Sequence, residues 1–92
     1  MADVIITLKI MPESPEINLE ELEEKVKEKI VDFAGEGEIR TEIEPVAFGL
    51  KAIKLTFVMD EARGGTDPLE EKIRQIDGVN SAEVVGVTRA LG

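Results

Sequence analysis

Between Lys51 and Met59 the side chains alternate without a break: Ile53, Leu55, Phe57 and Met59 fall on one face, Ala52, Lys54, Thr56 and Val58 on the other. A period of two marks a half-buried strand, because successive side chains leave the pleated backbone on opposite sides. This stretch supports the core. Directly ahead lies Pro45-Val46-Ala47-Phe48-Gly49-Leu50, a turn punctuated by proline and glycine. Its tip is apolar where a hairpin tip is ordinarily polar, so the turn reads as a contact surface rather than a plain connection.

A second alternation sets Val4, Ile6, Leu8 and Ile10 against Asp3, Ile5, Thr7 and Lys9 and gives another strand with a strongly buried face. Pro12-Glu13-Ser14-Pro15-Glu16 ends it, since prolines so closely spaced continue neither a ladder nor a helix. Asn18 then opens a helix. With Glu21 three residues on it resembles a capping box, and Leu19, Leu22, Val26, Ile30 and Phe33 form one apolar stripe. The opposite face sets Glu21 against Lys25 and Glu23 against Lys27, pairs worth about 0.2–0.5 kcal/mol each, and reads as a solvated surface. Gly35 and Gly37 stop the helix. Glu38 to Glu44 alternates charged with less polar residues and runs into Pro45, a pattern suited to a sheet edge.

After the long strand, Asp60 to Gly65 turns the chain. Asp67 as N-cap, Pro68 at the first helical position and Glu70 three residues after the cap announce a second helix, with Leu69, Ile73 and Ile76 facing inward and Gly78 as its stop. Gly64-Gly65 before a helix invites a phosphate-cradle reading, but Asp67, Glu70 and Glu71 occupy that helix end and repel an anion. The last strand runs from Val79 to Leu91. Its apolar register changes, Ala82 and Val84 sharing one face and Val85 and Val87 the other, and a bulge at Gly86 reconciles the two.

Composition removes whole classes of function. The 92 residues suit a single domain, residues 1–92, with one core. There is no Cys and no His, so disulfides, Cys/His zinc sites, thiol nucleophiles and imidazole bases are all excluded; the expectation is a non-enzyme with no metal or cofactor of its own. Twenty acidic against 11 basic residues, with three Phe and no Tyr or Trp, give a net charge of −9 that is unsuited to gripping phosphate backbones or stacking bases, so no direct nucleic-acid ligand is expected. The apolar run from Val4 to Met11 is interrupted by Thr7 and Lys9 and is too short for a signal peptide or a membrane span, which predicts a cytoplasmic chain with no membrane partner.

The element order strand, helix, strand, strand, helix, strand is solved economically by a four-stranded antiparallel sheet of order 4-1-3-2 with both helices on one face. This α+β, ferredoxin-like βαββαβ arrangement puts the two most apolar strands in the centre. It leaves Ile5, Thr7, Ala52, Lys54, Thr56 and Val58 on an uncovered face. The fold alone does not determine function.

The motifs go further. Pro45-Val46-Ala47-Phe48-Gly49-Leu50-Lys51-Ala52, Gly65-Thr66-Asp67-Pro68-Leu69-Glu70-Glu71 and Gly78-Val79-Asn80-Ser81-Ala82-Glu83-Val84, with a basic residue near the C-terminus, together resemble the nucleotide-exchange domain of translation elongation factor 1-beta. The likeness extends to Asn18-Leu19-Glu20-Glu21-Leu22, and the short chain is similar to the archaeal form. What the resemblance implies is a guanine-nucleotide exchange factor for the GTPase elongation factor 1-alpha, monomeric when free. The turn residues Val46, Ala47, Phe48, Gly49 and Lys51 would touch that partner, Phe48 through an apolar contact. Leu91, near the chain end, would touch the partner as well, and Arg89 would enter the region of the partner's Mg²⁺ and nucleotide phosphates. Two departures stand out: eukaryotic members carry Lys where this chain has Arg89, and Gly where it has Ala47. An RNA-recognition module would need aromatic and basic residues on the central strands, and an acylphosphatase-like enzyme would need a phosphate-cradling loop after the first strand. Neither is present, and the remaining alternative is a regulatory ligand-binding or dimerising ferredoxin-like module.

Overall fold

A computed structural model describes residues 3–35 and 37–90. Chain order is β1 (Asp3–Pro12), α1 (Leu19–Ala34), β2 (Ile39–Pro45), β3 (Lys51–Asp60), a 3-10 turn (Glu61–Arg63), α2 (Asp67–Arg74) and β4 (Val79–Ala90). The strands form one antiparallel sheet in the order β2-β3-β1-β4, the ferredoxin-like topology expected. The two longest alternating runs are neighbours at its centre, in register from Asp3 opposite Asp60 to Ile10 opposite Ile53.

The alternation settles which face is buried. Ile6, Leu8 and Ile10 of β1 and Ile53, Leu55, Phe57 and Met59 of β3 are at most 3% exposed. They join Leu22, Val26 and Ile30 of α1 and Leu69 and Ile73 of α2 in one cluster, so both helices cover the same face. Leu19, Phe33 and Ile76 pack at its margin, half-buried. Burying each large aliphatic side chain contributes about 1.5–3 kcal/mol, which makes this layer the principal source of stability.

The helix ends follow the expected chemistry at α1 and depart from it at α2. Asn18 Oδ1 accepts from the N–H groups of Glu20 and Glu21 at 3.0 and 3.2 Å, and Gly35 closes the helix with φ 88°. Of the two expected ion pairs on α1, Glu23–Lys27 closes at 2.7 Å. At α2 the cap is Thr66 rather than Asp67, and Asp67 starts the helix itself. Thr66 Oγ1 donates to Glu70 Oε1 at 3.0 Å, so the acidic residue of the motif engages the cap's hydroxyl. Gly78 lies beyond the helix end, in the turn into β4, with φ 95° and Ile17 packed against it.

β1 continues through Pro12, and β4 accommodates two register shifts. Thr7 faces Gly86 while Leu8 faces Val84, so the expected bulge is present but its extra residue is Val85, one position before Gly86, where the sequence placed it. A second shift falls between Met11 and Pro12, where Pro12 has no N–H for the ladder. The uncovered face carries Ile5, Thr7, Lys54, Thr56 and Val58 as expected, with the Thr7 and Thr56 hydroxyls 3.3 Å apart. Ala52 is a correction: it shares that face yet is fully buried. Its methyl group is in register with Glu44, whose carboxylate crosses diagonally to Lys54 Nζ at 2.8 Å. Lys54 lowers the Glu44 pKa from 4.5, first by its hydrogen bond and then by its charge, and Glu44 raises that of Lys54 from 10.5 in return.

Candidate partner-binding surfaces

The turn between β2 and β3 is closed by two backbone hydrogen bonds, Val46 N–H to Leu50 O and Leu50 N–H to Ala47 O, both 2.9 Å. Phe48 and Gly49 occupy its two central positions with φ 55° and 78°. Positive φ at both is the requirement of a type I′ hairpin turn, normally met by Asn-Gly or Gly-Gly. Gly49 meets it freely. Phe48 is the one non-glycine residue with positive φ among the described residues, and a left-handed backbone costs such a residue about 1–2 kcal/mol. The strain has no local compensation in packing, since Phe48 is 96% exposed. An aromatic ring held in solvent on a strained backbone is the pattern of a residue kept for contact rather than for folding.

The rest of the turn supports that tip. Val46 is 48% exposed, Ala47, Gly49 and Lys51 are exposed, and Leu50 is half-buried as the anchor. The backbone of Gly49 lies beside the Pro15 ring, which braces the turn from the β1–α1 loop. Ala47 is not among the residues with positive φ, so the turn closes without a glycine at that position.

Arg89 lies at the other end of the sheet. It is in register with Val4, which is opposite Met59 near the end of β3, whereas the turn precedes the start of β3. Ten residues of β3 separate the two regions, about 30 Å at the rise of an extended strand, in a molecule 42 Å long. The structure therefore does not bring Phe48 and Arg89 together. Leu91 lies outside the described residues.

Two features around Arg89 were not anticipated from the sequence. Val85 and Val87 are 47% and 62% exposed, although Val87 is in register with buried Ile6. The reason is length: eight-residue α2 spans about 12 Å and cannot cover a twelve-residue strand of about 40 Å. In addition, Arg89 is not free. Its Nη2 donates to Glu61 Oε1 of the 3-10 turn, with the arginine side chain 64% and the glutamate side chain 45% exposed. The period of the strands signals this pair in outline, because Arg89, Val4 and Met59 share a face and Glu61 follows two residues after Met59.

Among the described residues no cluster of three His, Cys, Asp or Glu could hold a metal ion, and no helix is long and apolar enough to cross a membrane. Of the candidate residues, Phe48 forms an apolar tip at one end of the sheet and Arg89, near exposed Val85 and Val87, presents a cation at the other.

Comparison with known proteins gives these features a context. The EF-1 guanine nucleotide exchange domain family matches residues 5–90. Elongation factor 1-beta of Sulfurisphaera tokodaii is 49% identical over 90 residues, covering 97% of each chain. The proteins of the same name from Methanosphaera stadtmanae and Sulfolobus acidocaldarius are 46% and 48% identical, covering 99% and 95% of this chain and 100% and 96% of their own. With the family spanning both the strained turn and the Arg89 strand, this chain belongs to the EF-1 guanine nucleotide exchange domain family.

Proposed function

We propose that residues 1–92 act as one exchange domain that promotes GDP release from the GTPase elongation factor 1-alpha. It docks through the turn Val46–Lys51 and places Arg89 against the partner's Mg²⁺ and nucleotide phosphates. The observation that carries this reading is the exposed, left-handed Phe48 at one end of β3 with an exposed cation at the other. Contacts about 30 Å apart fit a macromolecule that spans the sheet, and fit a small-molecule ligand poorly. Family membership names the class of macromolecule.

No bond is made or broken in such a reaction, which agrees with a chain lacking Cys and His. Mg²⁺ bound in the GTPase would supply positive charge beside the diphosphate. The Arg89 guanidinium entering that region would compete electrostatically with the metal and pair with carboxylates there. Arg89 has a planar fork of donors where Lys would present a point charge, so it can bridge two oxygens at once. Exchange then follows by linkage: if the domain binds the nucleotide-free GTPase more tightly than the GDP form, GDP binds the complex more weakly by the same factor. The net charge of −9 suits a partner whose tRNA-holding surface is positive, and speeds encounter.

The test separates docking from exchange. Arg89→Ala is expected to reduce GDP release much more than complex formation, while Arg89→Lys retains activity. Unaltered GDP release by Arg89→Ala at saturating factor and low magnesium would remove Arg89 from the mechanism.

A further inference from the structure

We infer that Glu61 is a positioning residue that restrains Arg89, so that the arginine must leave an internal partner before it acts on the GTPase. This rests on the proposed role of Arg89. The pair closes across the sheet end from residues 28 apart in sequence, with Val4 of β1 in register between the two strands. Glu61 is held in place independently of the pair. The 3-10 turn is capped before Glu61 by Asp60, whose Oδ1 accepts from Ala62 N–H at 2.8 Å, and after Arg63 by Gly64 with φ 87°. Asp60 Oδ1 is committed to that cap, and among the described residues Glu61 is the carboxylate that pairs with Arg89.

Two consequences of charge make the contact a restraint rather than an aid. A guanidinium paired with Glu61 has lost much of its net charge, and so competes less well with Mg²⁺. The carboxylate would also travel with it toward phosphate oxygens, where like charge repels. Engagement therefore requires the pair to open. Both side chains are substantially exposed, so opening is easy: an exposed ion pair is worth at most about 1 kcal/mol, which limits the restraint to about five-fold. The pair keeps the cation from binding other anions in the free protein, at a cost to exchange of no more than about five-fold.

The test is release of a fluorescent GDP analogue from elongation factor 1-alpha by four full-length proteins: native, Glu61→Gln, Arg89→Ala and the double variant. Glu61→Gln is expected to raise the maximal release rate by two- to five-fold at saturating factor, with the half-saturating concentration nearly unchanged, because docking resides in the distant turn. In the Arg89→Ala background the same substitution is expected to change nothing. A Glu61→Gln protein that is unchanged or slower, or that gains equally without Arg89, overturns the restraint. An Arg89→Ala protein as fast as native overturns instead the role of Arg89 on which it rests.

Discussion

Replacing Phe48 with glycine is expected to stabilise the fold and weaken its function together. Gly adopts φ 55° without the left-handed penalty of about 1–2 kcal/mol, offset by about 0.5–1 kcal/mol for the greater freedom of glycine in the unfolded chain. The net gain is about 0.5–1 kcal/mol, which for a domain of this size raises the unfolding midpoint by about 2–8 °C. No packing is lost in exchange, because the ring is 96% exposed. In the complex the balance reverses. A phenylalanine moved from solvent into an apolar pocket contributes about 1.5–3 kcal/mol, so Phe48→Gly is expected to raise the Kd for elongation factor 1-alpha by about 30-fold, corresponding to about 2 kcal/mol. Thermal unfolding by circular dichroism and titration calorimetry with the GTPase read the two effects separately. A lower midpoint would refute the strained turn, and a Kd within three-fold of native would refute Phe48 as the anchor.

Three further outcomes follow from the same structure. Gly78→Ala is expected to destabilise by about 1–2 kcal/mol, since φ is 95° and the added methyl meets Ile17 Cδ1 at 3.4 Å; denaturant unfolding checks this, while exchange at saturating factor stays native. Glu44 titrates below 4.5 because Lys54 stabilises its anion, so its contribution to stability is present above that pH and is lost as pH falls through the depressed value. Lys54, raised above 10.5, loses its contribution as pH rises through the raised value; a carboxyl NMR titration in which Lys54→Met returns Glu44 toward 4.5 verifies the coupling. Raising free Mg²⁺ is expected to slow exchange by the native protein and to have a smaller effect on the residual exchange by Arg89→Ala, as measured by GDP-analogue release, because metal and guanidinium compete for one region.

The sequence was most legible where a simple period governs burial. The alternations of β1 and β3 are long and each supplies one uninterrupted apolar face, so strand pairing and helix placement follow from them. The bulge beside Gly86 was visible because apolar residues changed faces at Val84-Val85-Gly86. Where two residues offer the same chemistry, pattern alone was insufficient: Thr66 and Asp67 are both good caps, and Pro68 tolerates either first or second helical position. Ala52 was placed with its face but not with its burial, because alternation assigns a side chain to a face without showing how neighbouring side chains cover a small methyl group. At the candidate surfaces, the apolar turn was evident from composition, but its left-handed Phe48 was not, since the adjacent Gly49 absorbs the usual turn signal. The Arg89–Glu61 pair bridges 28 residues and depends on register across three strands, information no local motif contains.

The most direct test of exchange activity is the rate at which elongation factor 1-alpha loaded with a fluorescent GDP analogue loses it to excess unlabelled nucleotide, with and without this chain. Release is predicted to accelerate with added factor and to saturate as the complex fills. A release rate that stays at its intrinsic value across that range, with complex formation confirmed in the same samples, would contradict exchange activity outright.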